Sequence, residues 1–129
     1  MVGHGGRQAY MECWQVLSSD FRRGATLFNE GLFFEAHEVL EDAWRAAAAQ
    51  EKKFLQGLIQ IAVALHHHGN GNLVGARSLL GRAARNLSGY SENFGGIELK
   101  QLRYSVAQWQ RALGEGTPVP PLPKVILSR

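Results

Sequence analysis

The sequence has one cysteine, Cys13, which excludes an intrachain disulfide and fits a reducing compartment. Proline is scarce at four residues and charged residues make up 19%, so the composition is neither collagenous nor that of a disordered chain. No apolar run approaches the roughly 20 residues that span a bilayer; the longest, positions 58–65, is eight residues and is broken by Gln60. No basic, apolar and cleavage-site series opens the chain. No Gly-rich phosphate loop follows a strand pattern, and no Gly-x-Ser-x-Gly nucleophile elbow occurs. These absences predict a cytoplasmic domain with no membrane partner.

What is present is a 129-residue chain, 45% hydrophobic, enough for one domain that buries about two-thirds of its unfolded surface. Its net charge of +3 conceals an asymmetry. Residues 1–51 carry four Lys/Arg against eight Asp/Glu, whereas residues 52–129 carry ten against three. On the fourth helix expected below, Arg77, Arg82 and Arg85 spread over about 140° of the wheel, as on an ordinary solvated face. The expectation is therefore no nucleic-acid partner.

Apolar periodicity predicts five helices. Tyr10, Trp14, Leu17, Phe21, Gly24 and Phe28 form one stripe over about 9–29, and Ser18, Ser19 and Asp20 equally fit caps of a shorter helix beginning at Phe21. Residues 1–8 show no periodicity and are expected to be disordered. A second helix, about 32–48, puts Phe33, Ala36, Leu40, Ala43, Trp44 and Ala47 on its buried face. The third, about 52–68, is apolar nearly all round, as a central helix would be. The fourth, about 72–88, buries Leu73, Ala76, Leu79, Leu80, Ala83 and Leu87. A fifth caps the core through Leu99, Leu102, Val106, Trp109 and Leu113. The Pro-rich segment 118–123 forces an extended tail over 114–129, and Val125, Ile126 and Leu127 favour its folding back on the domain.

A shift of 40 positions aligns Gly31 with Gly71, Ala36 with Ala76, Leu40 with Leu80, Ala43 with Ala83 and Arg45 with Arg85. The fold class predicted is all-α: a compact bundle of about five helices in a single domain over 9–129. Two stacked antiparallel hairpins, tetratricopeptide-like, carry the capping helix and the tail. The copies differ at Glu35, His37, Glu38 and Glu41, which face Gly75, Arg77, Ser78 and Gly81, so the scaffold does not itself require the acidic cluster.

His37-Glu38-Val39-Leu40-Glu41 differs by one letter from the His-Glu-x-x-His zinc signature. His37 and Glu41 share a side of the helix about 40° apart and offer one nitrogen and one oxygen ligand. On the third helix Gln56, Gln60 and His67 form a polar stripe, and His66, His67 and His68, being consecutive, point about 100° apart. An antiparallel second and third helix would set Glu41 between Gln56 and Gln60, and His67 level with Phe33 and Glu35. The candidate site is Glu35, His37, Glu38, Glu41, Gln56, Gln60 and His67. It is a groove for a small molecule or a basic peptide or protein. Alternatively it is a divalent-metal hydrolase, with His37, Glu41 and His67 as ligands and Glu38 as general base. The same residues also suit a plain polar face, with Glu41 paired to Arg45 and the glutamines satisfying buried groups. Cys13 reads as a core thiol. The charge dipole and the aromatic first stripe are compatible with a homodimer.

The string from Phe28 to Arg45, Phe-Asn-Glu-Gly-Leu-Phe-Phe-Glu-Ala-His-Glu-Val-Leu-Glu-Asp-Ala-Trp-Arg, resembles the small all-helical family known as domain of unknown function 309. Phe54-Leu55-Gln56-Gly57-Leu58-Ile59-Gln60, followed by His67, Gly71-Asn72 and Gly75-Ala76, is similar to that family's second block. The resemblance covers about residues 21–90. It implies packed helix hairpins and no established activity. It also implies that the family's polar positions fall on the seven candidate residues, with His67 the matching histidine and His66 and His68 local additions.

Overall fold

The structure, a computed structural model, describes residues 18–127. The chain in that range forms five α-helices: α1 Ser19–Asn29, α2 Phe33–Ala46, α3 Ala49–Gly69, α4 Leu73–Leu87 and α5 Leu99–Glu115, with a single 3-10 turn, Phe94–Gly96, before the last. Among the described residues there is no strand, only an isolated antiparallel bridge between Ile97 and Leu127. The all-helical class expected from periodicity is what forms. No described helix is long and apolar enough to cross a membrane.

The first helix takes the shorter of its two expected forms. Ser18 accepts a 3.1 Å bond from the Phe21 N–H, satisfying an otherwise orphaned donor, and Asp20 complements the positive end of the helix. The remainder of the 9–29 stripe, with Tyr10, Cys13, Trp14 and Leu17, lies outside the described residues, as does the 1–8 segment.

The 40-residue repeat is visible atom by atom at the two turns. Gly31 and Gly71 have φ of 82° and 81°, a left-handed conformation that costs an L side chain but not glycine. Around them Leu32 N–H donates to Leu27 O at 3.0 Å and Asn72 N–H to His67 O at 2.9 Å, while both glycine N–H groups reach back 3.0 Å to Phe28 O and His68 O. These are the paired bonds that close a Schellman turn. The sequence 40 positions apart thus codes the same helix stop twice.

Between the turns, the small and branched residues shared by both copies are the buried ones. Ala36, Leu40, Ala43, Ala76, Leu80 and Ala83 are all sealed in the core, and α3 supplies Phe54, Leu55, Leu58, Ile61 and Leu65 to the same cluster. Each helix packs most extensively on its neighbour in sequence, so α3 is covered by α2 on one side and α4 on the other. At the edges the expected core is trimmed. Leu73 is 52% exposed, and Leu79, Trp44, Ala47 and Leu113 are only partly covered, while Val39 and Ala112 are buried in addition. Leu73 is the first residue of α4.

Two long-range contacts hold this stack. The Tyr90 hydroxyl donates to Gln50 O at 2.8 Å and accepts from Phe54 N–H at 3.1 Å. It thereby bonds both groups of the Phe54 N–H and Gln50 carbonyl pair, which lie four residues apart in the first turns of α3. The tail crosses from α5 back to α1. Trp109 Nε1 donates to Pro121 O at 3.0 Å, and the Asn29 amide brackets Val125, donating to its carbonyl at 2.9 Å and accepting its N–H at 2.8 Å. Val125 is buried in consequence, whereas Ile126 and Leu127, expected to be costly in water, stay exposed.

Candidate functional site

The sequence-predicted residues fall on three surfaces rather than one. α2 projects Glu35 and Glu38 outward, both exposed and neither held by a hydrogen bond or ion pair to a described residue. Glu38, the candidate base, therefore has no hydrogen bond to His37 or Glu41. Those two are neighbours one turn apart, as their spacing requires. Phe34 O accepts from His37 Nδ1 at 2.8 Å, so that nitrogen carries the proton, and Nε2 faces Glu41 Oε2 at 3.8 Å. On the other side of Glu41, Arg45 Nη2 stands 3.9 Å from Oε1, its guanidinium engaged by Asp42 Oδ1 at 2.5 Å. Both contacts to Glu41 exceed hydrogen-bond reach, which leaves its carboxylate with unused acceptor capacity.

Across from this row, Gln56 comes where the antiparallel register puts it. Glu41, Trp44 and Arg45 of α2 and Gln56 and Ile59 of α3 line a cavity of about 270 Å3. Trp44 forms its wall. Lys52 Nζ sits 4.2 Å from the centre of the Trp44 rings and donates to the Trp44 carbonyl, so one face of the indole already carries a cation. The indole Nε1 is buried with no acceptor in reach, a deficit of about 1–3 kcal/mol.

Gln60 and His67 turn elsewhere. Gln60 Oε1 accepts from Asn86 Nδ2 of α4 at 2.8 Å, and His67 Nδ1 lies 3.5 Å from Asn72 Nδ2 at the start of α4. The wheel grouped them correctly with Gln56, but that stripe runs along the boundary between the two neighbours of α3. Its lower members face α4. The histidine that meets α2 is His66, its ring 5.3 Å from Phe34, which lies 5.1 Å from His37 in turn. His66 thus meets α2 near the level expected of His67, while the His67 ring, one residue and about 100° further round α3, lies beside Asn72 at the start of α4. His68 packs edge-on against Trp109 at 4.9 Å. Among the described residues no three His, Cys, Asp or Glu side chains converge in an arrangement that could hold a metal ion.

Sequence reasoning missed Trp44 as a site wall, having read it as core, and missed Ile59 and Lys52. The signal was available for Lys52: it follows Trp44 by eight residues, across a turn short enough to fold it back.

With this geometry in hand, comparison with known proteins gives three findings. Residues 21–79, from α1 to the middle of α4, match the family model described as Domain of unknown function (DUF309). An uncharacterized protein of Aquifex aeolicus (strain VF5) is 36% identical over 77 residues, 59% of this chain and 23% of that protein. The uncharacterized protein YpuF of Bacillus subtilis (strain 168) is 41% identical over 54 residues, 41% of this chain and 31% of that protein. The matched part of this chain thus spans less than a third of either curated relative, 23% of one and 31% of the other.

Proposed function

We propose, for a chain whose residues 21–79 belong to the domain of unknown function 309 family, that the protein is a binding module whose α2–α3 groove receives a basic side chain of a protein or peptide partner. The observation that carries this reading is the Glu41 carboxylate on the wall of a cavity it shares with Trp44, Arg45, Gln56 and Ile59, its ion-pair partners His37 and Arg45 both standing beyond hydrogen-bond distance. About 270 Å3 lies just under the roughly 300–1,000 Å3 of small-molecule sites, which favours one protruding side chain over a whole metabolite. A Lys or Arg side chain suits the lining. Its apolar stem lies along Trp44 and Ile59, and its head meets Glu41 and the Gln56 amide oxygen. Glu35 and Glu38 add acceptors along the outer edge of α2 and steer a positive partner to it. The single cysteine supports placing this module in the cytoplasm.

The test follows the Trp44 indole N–H resonance by NMR during titration with short Arg- and Lys-containing peptides. A basic peptide should shift that resonance, and Glu41→Gln should weaken the effect at least tenfold. An unmoved indole signal across the peptide panel, or equal binding by Glu41→Gln, overturns the reading.

A further inference from the structure

The side of the molecule opposite in charge to α2 has no assigned role. α4 contains no acidic residue, and α5 contains one, Glu115, at its last position. Their cations gather along the seam between them. A cleft of about 420 Å3 between α4 and α5 is flanked by Lys100, Arg103 and Tyr104, with Glu92 from the loop before α5 the one carboxylate on its wall. The Arg77 guanidinium reaches across to α5, with Nη2 3.1 Å from where a Cβ would stand on Gly114. Arg85 Nη1 and Gln110 Nε2 converge on Gly81, 3.8 and 3.9 Å from the corresponding point there. Arg111 lies within about 20° of Lys100 on the α5 wheel and extends the row. None of these five cations has an ion pair with a described residue; the three ion pairs of the described chain all belong to α2.

The spread of arginines on α4 by itself looks like a solvated face. Packing α5 beside it changes the geometry, because α5 contributes its own cations to the same seam, over about 21 Å from Lys100 to Gly114. Tyr104 stands among them 61% exposed, its hydroxyl accepting only from the Gln108 amide at 3.1 Å. An exposed ring within unpaired arginines is the combination that holds a phosphate backbone and stacks a base.

We propose that the α4–α5 seam binds single-stranded nucleic acid, with Arg77, Arg85, Lys100, Arg103 and Arg111 on phosphates and Tyr104 stacked on a base. Charge complementarity selects the occupant, and the ring distinguishes a nucleic acid from an acidic protein surface, which offers carboxylates but no stack of bases.

The experiment is fluorescence anisotropy of labelled oligouridylate and oligothymidylate with the full-length protein, repeated against salt and against sodium polyglutamate. Four to five phosphate contacts predict a slope of log affinity on log salt near −3, hence about a 60-fold loss from about 50 to 200 mM. Binding by either oligonucleotide supports the site, and a preference between them says whether RNA or DNA is its source. Arg85→Ala with Arg103→Ala should flatten the slope by about 1.4, and Tyr104→Ala should cost about tenfold without changing the slope. Thermal midpoints of these surface variants should match the parent, which separates lost binding from lost folding. No anisotropy change at low salt overturns the proposal. So does equal competition by polyglutamate with no effect of Tyr104→Ala, which would make the seam a docking face for acidic proteins. Salt-sensitive self-association abolished by Arg85→Ala also overturns it, since the occupant would then be the acidic α2 of a second copy.

Discussion

α2 and α4 are one helix written twice with opposite surfaces. Their turns and first residues coincide 40 residues apart, down to glycine φ values within a degree, and so do the buried pairs Ala36 and Ala76, Leu40 and Leu80, and Ala43 and Ala83, although Phe33 is buried where Leu73 is exposed. Their outer faces share only Arg45 and Arg85. Where α2 has Glu35, His37, Glu38, Glu41 and Asp42, α4 has Gly75, Arg77, Ser78, Gly81 and Arg82. Burial fixes what the scaffold needs, and it needs the same in both copies; solvent-facing positions are free to diverge and have taken opposite signs. Surface charge, more than architecture, is therefore where the two copies differ.

The sharpest way to break this equivalence is through the shared core. Leu40→Ala and Leu80→Ala each remove a fully buried side chain and should each cost about 3 kcal/mol, read from chemical denaturation. A cost confined to one copy would show that the alignment matches letters and not packing. Next comes a position where the copies part. Asn29 precedes the first turn and Gly69 the second, and only the first holds the tail. Asn29→Ala should lose about 2 kcal/mol and expose the segment around Val125 to limited proteolysis, from two broken hydrogen bonds and the burial they maintain. A tail still protected in that variant would shift its anchorage to Trp109 and Pro121.

A smaller effect tests the turns. Gly31→Ala and Gly71→Ala each place a Cβ in left-handed backbone, with open space around it, so the penalty is conformational alone and should be about 1 kcal/mol in both. Equal thermal shifts keep the turns equivalent. A much larger one at Gly31 would show that the first turn also feels the Asn29 clamp beside it.

How far the sequence anticipated all this follows the same division. Helices α2, α3 and α4 were legible to within three residues at each end because their stops are local: Gly31, Gly71 and the Asn72 cap act on their own neighbours. The placement of Glu41 and Gln56 on one cavity was legible because it follows from one short turn. Gln60 and His67 were not, because a wheel gives angles about one axis and says nothing of which neighbour lies at which angle. The Asn29 clamp on Val125, 96 residues away, has no local signature at all. Asn29 reads equally well as an ordinary turn residue.

The slightest perturbation isolates the charge difference itself. Arg45 and Arg85 both stand in the last turn of their helices, so each gains the same attraction from the helix end, and that part cancels between them. What remains is their company. Arg45 pairs with Asp42 and Glu41, while Arg85 has no ion pair with a described residue and extends its guanidinium over Gly81 beside the Gln110 amide. All these groups are well exposed, and water screens them, so the gap between Arg45→Ala and Arg85→Ala should be no more than about 0.5 kcal/mol at low salt, with Arg45→Ala the costlier. At about 1 M salt, where the screening length falls to roughly 3 Å, the two should converge. A gap that persists in high salt would mean that the arginine stems, not their charges, distinguish the copies. The opposite surfaces of α2 and α4 would then be a difference of packing as much as of sign.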